Sequence, residues 1–222
     1  MRTFSEIRAI AAERKGGEAT LDALIGPAEA TGDLAERPDS FYLAEMTRRV
    51  FQSGFSWTVI DAKWQGFHEA FRGFDVHACA FMAPDWLDAL CKDRRIVRHA
   101  AKIGSVPDNA RFILDVAGEH GSFGRMLADW PAGDHVGLLN LLNKRGARLG
   151  GMTGQYFLRF VGRDGFILSR DVVGRLIAEG VVARPPSSQK DMKAVQTAFS
   201  AWAAESGCSL REISRTLALS TD

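Results

Sequence analysis

The sequence predicts an all-α fold, and two observations lead to this prediction. Apolar residues recur at three- and four-residue intervals through nearly every segment, which is the spacing of one helix face. Strand-like alternation is scarce, and the one short apolar run flanked by turn residues, Phe166 to Leu168, is too short to form a sheet. Helices are therefore expected along most of the chain.

The predicted helices follow in order. Asp39 and Ser40 can cap a helix that begins near Phe41, because short polar side chains accept hydrogen bonds from the first amides of a helix. Pro84 marks the start of another helix, where its missing N–H is harmless. Helical spacing predicts further helices over residues 57–74, 96–116, 136–143, 155–161, 172–176, 192–204 and 210–217.

Glycines and prolines divide the chain at three places. Residues 16–38 are predicted to be loosely structured with one short helix, residues 118–133 interrupt the middle, and residues 184–188 precede a final pair of helices. The predicted organisation is an N-terminal lead-in over residues 1–38, which packs on the core, and a helical domain over residues 39–222.

The composition is that of an ordinary globular protein, with 46% apolar and 25% charged residues among 222. No stretch reaches the roughly 18 uninterrupted apolar residues of a membrane span, and the first 15 residues lack the apolar block of a signal peptide. A cytoplasmic location without a membrane partner is expected. The net charge of +1 neither requires nor excludes nucleic acid, because a local basic face suffices to bind it.

The three cysteines, Cys79, Cys91 and Cys208, are far apart and include no CxxC pair. Neither a zinc ribbon nor an iron–sulfur cluster has its ligands in such a pattern. The cysteines are expected to be buried and reduced, and no metal or cofactor is expected.

One series of segments carries a family resemblance. The stretch FQSGFSW at residues 51–57 is followed by residues 59–63 and 67–75, and then by residues 96–103 and 109–111. In order and spacing this series resembles the 3-methyladenine DNA glycosylase I family between about Phe41 and Leu114, with a looser match at residues 144–146 and 151–174. The resemblance implies a helix-hairpin-helix DNA glycosylase fold, with two helical lobes and a cleft between them.

The resemblance also implies a base pocket. Trp57 matches a position whose indole stacks on the flipped base, although a lone tryptophan is more often a core residue. Stacking suits an alkylated, cationic purine, which gains a cation–π interaction over the ring. Phe51 and Phe55 are either neighbouring pocket walls or core residues.

The predicted pocket departs from the family at one position. A glutamate of the family reads the purine edge, and Arg49 stands in its place here. Glu45 lies one helical turn away and can reach a similar position. The departure puts strict specificity for 3-methyladenine in question.

A glycine-rich turn at residues 148–156 precedes a helix and can leave its first amides free to bind a phosphate. Taken alone, such a turn is more often an ordinary helix connection, but its spacing from Asp171 favours a phosphate-binding hairpin near residues 145–156. Adjacency to this hairpin favours contact of the neighbouring basic residues with the DNA backbone. The predicted phosphate-binding residues are Lys144, Arg148, Gly151, Met152, Thr153 and Gly154. A second basic group is either a DNA contact or a solvated face: Arg94, Arg95, Arg98, His99 and Lys102.

Asp171 is the candidate catalytic residue. A helix, a turn and a short apolar run separate it from the glycine-rich turn, which resembles the arrangement around the essential aspartate of the wider helix-hairpin-helix glycosylase superfamily. A carboxylate can stabilise an oxocarbenium-like transition state and orient the attacking water. The alternative is that Asp171 only caps a helix that begins at Val172.

Two further differences from the family shape the prediction. Family members join their termini through a zinc ion held by two Cys and two His, whereas this chain has neither residue in its N-terminal stretch and has Arg175 at a cysteine position. No amine follows the glycine-rich turn, so Schiff-base lyase chemistry is not expected.

We therefore predict a metal-free, monofunctional, monomeric glycosylase that excises alkylated purines from damaged double-stranded DNA in base excision repair. The alternatives are a non-catalytic lesion-binding protein and a structural helical protein.

Overall fold

The structure is a computed structural model that describes residues 1–27 and 33–221. Within these residues it is helical and contains no strand, which confirms the all-α prediction. The chain forms two compact units. The described part of unit 1 consists of residues 1–27, 131–138 and 164–221, and that of unit 2 consists of residues 33–130 and 139–163.

The helices in the described residues are α1 (Phe4–Lys15), α2 (Glu18–Ile25), α3 (Asp39–Gln52), α4 (Trp57–Ala62), α5 (Trp64–Ala70), α6 (Val76–Ala80), α7 (Pro84–Lys92), α8 (Ala100–Ile103), α9 (Ser105–His120), α10 (Phe123–Asp129), α11 (His135–Arg145), α12 (Met152–Val161), α13 (Arg170–Ala178), α14 (Gln189–Ser206) and α15 (Leu210–Leu219). Single 3-10 turns occur at Leu34–Glu36 and Arg72–Phe74.

Most predicted helices are present, but two predicted segments are divided. Residues 57–74 form α4, α5 and a 3-10 turn, since Lys63 ends one helix and Gly73 has a φ of 67°. Residues 96–116 form α8 and α9, and the helical part begins only at Ala100, after the His99 side chain that caps it. Pro84 begins α7 as predicted.

Unit 1 brings the two ends of the chain into one core. Helix α1 packs against α2, α14 and α15, and α15 also packs against α13. Phe4 and Ile7 of α1 are buried in the same cluster as Trp202 and Ile213. The N-terminal residues therefore share a core with the C-terminal helices.

A charged network also joins the two ends within unit 1. Glu179, whose side chain is 1% exposed, accepts hydrogen bonds from the backbone N (2.8 Å) and Nη1 (2.9 Å) of Arg2 and from Nη1 of Arg175 (3.4 Å). Arg175 donates its other hydrogen bonds to Oγ (2.7 Å) and the carbonyl oxygen of Ser220. Arg175 is thus one member of a terminal clamp, defined here as Arg2, Arg175, Glu179 and Ser220.

Helix α3 is the centre of unit 2, where it packs against α4, α6, α8, α9, α10 and α12. Its Tyr42, Leu43, Met46 and Phe51 side chains are fully buried. Burial raises the pKa of Tyr42 to about 12, and its hydroxyl donates to the carbonyl oxygen of Leu34 at 2.5 Å. The helices that pack around these side chains thus hold α3 in place.

The predicted cap of α3 is wrong. The helix begins at Asp39, and no side chain caps its first turn. The Asp39 carboxylate instead accepts a hydrogen bond from the backbone N of Phe123 at 2.9 Å, at the start of α10. A tertiary contact therefore uses the carboxylate that the sequence assigned to a local cap.

Only one cysteine fits the expected burial. Cys79 is buried, and burial raises the pKa of its thiol to about 12, whereas Cys91 and Cys208 are partly exposed. None forms a disulfide.

In the described part of the chain, no helix combines the length and the apolar character needed to cross a membrane.

The terminal clamp predicts a pH-dependent stability. Burial alone raises the pKa of Glu179, but the hydrogen bonds from Arg2 and Arg175 outweigh it and hold the pKa below its ordinary value. A depressed pKa in the folded state gives stability that is complete above the unfolded pKa of about 4.3 and is lost as the pH falls through the folded value. We expect Glu179→Gln to lower the free energy of unfolding by about 3 kcal/mol at neutral pH, because it leaves the buried Arg175 without an anion.

Urea unfolding followed by circular dichroism at about pH 7 and about pH 3.5 measures both effects. The variant should lose less stability on acidification than the parent. The exposed Glu13→Gln on α1 is the control and should stay within about 0.5 kcal/mol of the parent. Equal losses for the two variants would contradict a stabilising role for the clamp.

Candidate active site

A recess in unit 2 surrounds Trp57, the first residue of α4, whose side chain is 40% exposed. Two cavities of about 110 and 270 Å³ adjoin it and share Arg49, Gln52 and Trp57. The smaller is also lined by Ser53, Met152, Thr153 and Tyr156. The larger is also lined by Arg37, Phe41, Glu45, Arg48, Asp61 and Phe160.

The turn between α3 and α4 sets the position of Trp57. Gly54 has a φ of 105°, a conformation that favours glycine. The Lys102 ammonium donates to the carbonyl oxygens of Val50 and Ser53, each at 2.5 Å, and so occupies acceptors at the end of α3. Burial lowers the pKa of Lys102. Lys102 is therefore a structural residue, which corrects its inclusion in a basic group that could meet DNA.

Arg49 lies inside the recess and is only 4% exposed. Its guanidinium carbon is 3.8 Å from the ring centre of Phe160 and 5.5 Å from that of Trp57, and Nη2 donates to Glu45 at 3.2 Å. Burial lowers the pKa of Arg49, and the Glu45 carboxylate opposes this shift. Within the described residues, its Nε and Nη1 atoms are buried without a hydrogen-bond partner.

Gln52 lies one turn beyond Arg49 on the same face of α3. Its Nε2 donates to the Asp61 carboxylate at 3.3 Å, and its Oε1 is buried without a partner in the described part of the chain. Because a carboxylate accepts but does not donate, Asp61 orients the amide with its oxygen away from that bond. The recess thus holds unpaired donors next to an unpaired acceptor.

The structure brings together three of the five predicted pocket residues, Glu45, Arg49 and Trp57. Phe51 is fully buried against Phe67, with ring centres 4.7 Å apart, so it is a core residue and not a pocket wall. Phe55 lines neither cavity and packs its ring edge-on to His99 at 5.9 Å. The core alternative is thus confirmed for Phe51, whereas Phe55 is only partly buried.

The sequence patterns did not single out Gln52, Tyr156 and Phe160. Tyr156 and Phe160 contact Trp57 with ring centres 5.5 and 5.7 Å apart. Met152, Tyr156 and Phe160 are spaced four residues apart, which places them on one face of α12. This spacing of apolar residues in the sequence indicates a helix face that can contact Trp57.

The predicted hairpin is the turn between α11 and α12, at residues 146–151. The Asn109 amide holds this turn through both backbone groups of Ala147, accepting from N at 2.8 Å and donating to O at 3.1 Å. Arg148 has a φ of 61° and donates Nε to the carbonyl oxygen of Ala101. The hairpin is therefore held by α8 and α9.

The first turn of α12 has no side-chain cap, since Gly151 is its N-cap residue with a φ of 57°. Met152 and Thr153 lie here and also line the smaller cavity, whereas Gly154 is buried where a Cβ would meet the Leu149 carbonyl oxygen. Lys144 is exposed near the end of α11. The uncapped turn is thus adjacent to the recess around Trp57.

Asp171 lies in unit 1, in the first turn of α13. The helix begins at Arg170, and the Ser169 hydroxyl caps it by accepting from the backbone N of Val172 at 3.3 Å. The alternative that Asp171 is the cap is therefore wrong. Asp171 is exposed, and its carboxylate has no hydrogen bond or ion pair in the described part of the chain.

No three His, Cys, Asp or Glu residues in residues 1–27 and 33–221 are grouped so that they could hold a metal ion. The recess in unit 2 consists instead of aromatic rings, a buried guanidinium and an amide.

Comparison with solved structures shows the fold. A 3-methyladenine DNA glycosylase I from Staphylococcus aureus is 20% identical, with a TM-score of 0.50 over 63% of this chain and 89% of that one. A second structure of 3-methyladenine DNA glycosylase I is 23% identical, with a TM-score of 0.50 over 58% and 81%. The Methanocaldococcus jannaschii 8-oxoguanine glycosylase/lyase, solved with a 15mer DNA containing 8-oxoguanine, is 12% identical, with a TM-score of 0.56 over 96% and 95%.

The fold is therefore that of the helix-hairpin-helix DNA glycosylases. Residues 36–139 match the methyladenine glycosylase family. This match overlaps residues 41–114 and confirms the resemblance to the 3-methyladenine DNA glycosylase I family that these residues carry.

The different burial of Phe51 and Trp57 predicts different costs of substitution. Phe51→Ala removes a fully buried ring and should lower the free energy of unfolding by about 3–5 kcal/mol. Trp57→Ala removes a half-exposed ring and should cost less than half as much. Urea unfolding of both variants measures the difference, and equal costs would contradict the division into core and recess.

Proposed function

We propose that this protein is a monofunctional DNA glycosylase that hydrolyses the N-glycosidic bond of a damaged purine in duplex DNA, in base excision repair. Methylated purines such as 3-methyladenine are the substrates that its family suggests. The observation that carries the proposal is the half-exposed Trp57 ring at a recess with the buried Arg49, inside the segment that matches the family. Double-stranded DNA is the proposed partner, and the proposed active form is a monomer.

The recess suits a base that has left the DNA stack. A flipped base needs an aromatic surface in place of its stacked neighbours and polar groups for its hydrogen-bonding edge. Trp57 and Tyr156 offer the aromatic surface, while Arg49 and Gln52 offer the polar groups. These roles are proposals that rest on the chemistry of the lining residues.

Asp171 has the properties that the proposed chemistry needs. As the bond between C1′ and the base nitrogen breaks, its electron pair leaves with the base and positive charge develops on the sugar. An anion stabilises that charge. Water then bonds to C1′, and the carboxylate accepts the proton that the water releases. The exposed, unpaired carboxylate of Asp171 is available for both tasks.

The uncapped first turn of α12 is the proposed phosphate contact. Its amides lack a side-chain acceptor, and the positive end of the helix dipole favours an anion there. Exposed Lys144 and Arg148 add charge that attracts the DNA backbone without reading its sequence. Residues 152–155 supply no amine for a Schiff base, which supports hydrolysis without lyase activity.

A second candidate is a lesion-binding protein without catalytic activity. Arg49 favours it, because a buried cation stands where the family has the glutamate that reads the base. The free carboxylate of Asp171 favours the enzyme.

We expect Asp171→Asn to reduce base release by a factor on the order of 10²–10³, because the neutral amide cannot stabilise the sugar cation. The assay is chromatography of bases released from methylated duplex DNA and from duplex DNA that contains deaminated purines. Asp85→Asn is the control, since Asp85 is also an exposed second residue of a helix and has no proposed role. Unchanged release from the Asp171 variant would remove its catalytic role. No release from either DNA, with binding intact, would favour the lesion-binding protein.

Gly151→Ala should weaken binding to abasic-site DNA by about 10-fold, because a Cβ at the uncapped turn obstructs the approach of a phosphate. Gly162→Ala is the control. Gly162 ends the same helix with a φ of 88°, so alanine is strained there too, but at the opposite end. Fluorescence anisotropy of labelled DNA measures both affinities, and equal effects would argue that strain alone is responsible.

A further inference from the structure

The buried polar atoms of the recess that lack hydrogen-bond partners restrict which base can bind there. Nε and Nη1 of Arg49 are donors without acceptors, and Oε1 of Gln52 is an acceptor without a donor. Both residues are more than nine-tenths buried and line both cavities. A buried polar atom without a partner is costly, so a ligand that supplies the missing partners gains affinity here.

The charges of the recess disfavour a cationic base. Its two carboxylates are already paired, Glu45 with Arg49 at 3.2 Å and Asp61 with Arg48 at 2.6 Å. Arg37, Arg48 and Arg49 outnumber them among the lining residues. The Arg49 guanidinium also lies against the Trp57 ring, which would otherwise attract a cation. A cationic N-methylpurine would therefore meet a like charge in a buried setting, with no free anion to offset it.

The polar pattern matches one kind of base edge. A 6-oxopurine presents a carbonyl oxygen next to the N1–H group, and its N7 is a further acceptor. Arginine donates to the O6 and N7 acceptors of such a purine in other settings. Adenine presents the reverse pattern, with an amino donor at C6 and an acceptor at N1. The donors of Arg49 and the acceptor of Gln52 can therefore pair with O6 and N1–H of the oxo edge at the same time.

Resting on the proposed function, we infer that this recess selects hypoxanthine, the neutral 6-oxopurine that forms when adenine is deaminated, in preference to a cationic methylated purine. Arg49 donates to the acceptors of the base, and Gln52 accepts from N1–H. Arg49 and Gln52 are thus the residues that determine which base the recess holds.

The test separates binding from catalysis by using free bases. Isothermal titration with hypoxanthine, adenine and 1-methylhypoxanthine compares ligands that differ only at the edge in question. We expect hypoxanthine to bind about 10-fold or more tightly than either of the other two. Arg49→Gln and Gln52→Ala should each abolish the preference, whereas Arg125→Gln, an exposed arginine of α10 outside both cavities, should keep it.

Several results would overturn the inference. These are equal or tighter binding of adenine, preference unchanged in both variants, no hypoxanthine binding at millimolar concentration, or displacement of hypoxanthine by an equal concentration of inorganic phosphate. Thermal unfolding checks that each variant is folded, and Gln52→Ala keeps the test valid should Arg49→Gln not fold.

Base release from duplex DNA distinguishes this inference from the proposed function. Faster release of hypoxanthine than of 3-methyladenine or uracil supports both. Faster release of 3-methyladenine or of uracil overturns the 6-oxopurine preference. Faster release of 3-methyladenine still supports the glycosylase proposal. Selective hypoxanthine binding without any release supports the inference and contradicts the glycosylase proposal.

Discussion

The burial of α3 is the constraint on which unit 2 depends. Six other helices pack around it, and its large side chains are fully enclosed. Such enclosure fixes the rotation of the helix about its axis, because a small rotation would remove several aromatic side chains from their partners. The direction in which Glu45, Arg49 and Gln52 point is therefore a result of core packing. The core thus fixes the α3 side of the recess, whereas the turn at Gly54 positions Trp57.

Unit 1 meets a different requirement, which is to hold the two ends of the chain together. A carboxylate between two arginines and a serine connects Arg2, which precedes α1, with α13 and Ser220. The buried Glu179 is stable as an anion because it accepts hydrogen bonds from the backbone and side chain of Arg2 and from the side chain of Arg175. Each group is tolerated in the interior only because the other is present.

Local patterns predicted the helices well because the spacing of apolar residues reports which face of a helix is buried. They failed where a side chain acts over a long sequence distance. Asp39 reaches a backbone amide 84 residues away, and Lys102 reaches carbonyls about 50 residues away, so no local pattern contains either contact. Phe51 and Trp57 illustrate the same limit at the site. Both are aromatic residues of one matching segment, and only the packed structure separates the core ring from the exposed one.

The distribution of roles on α3 has an evolutionary consequence. The side chains that build the core and those that line the recess occupy different positions of one rigid helix. A mutation at Arg49 or Gln52 therefore exchanges a polar group without removing any of the rings that hold the helix in place. Substitution can therefore alter the polar lining of the recess while the buried side chains that set its geometry are kept.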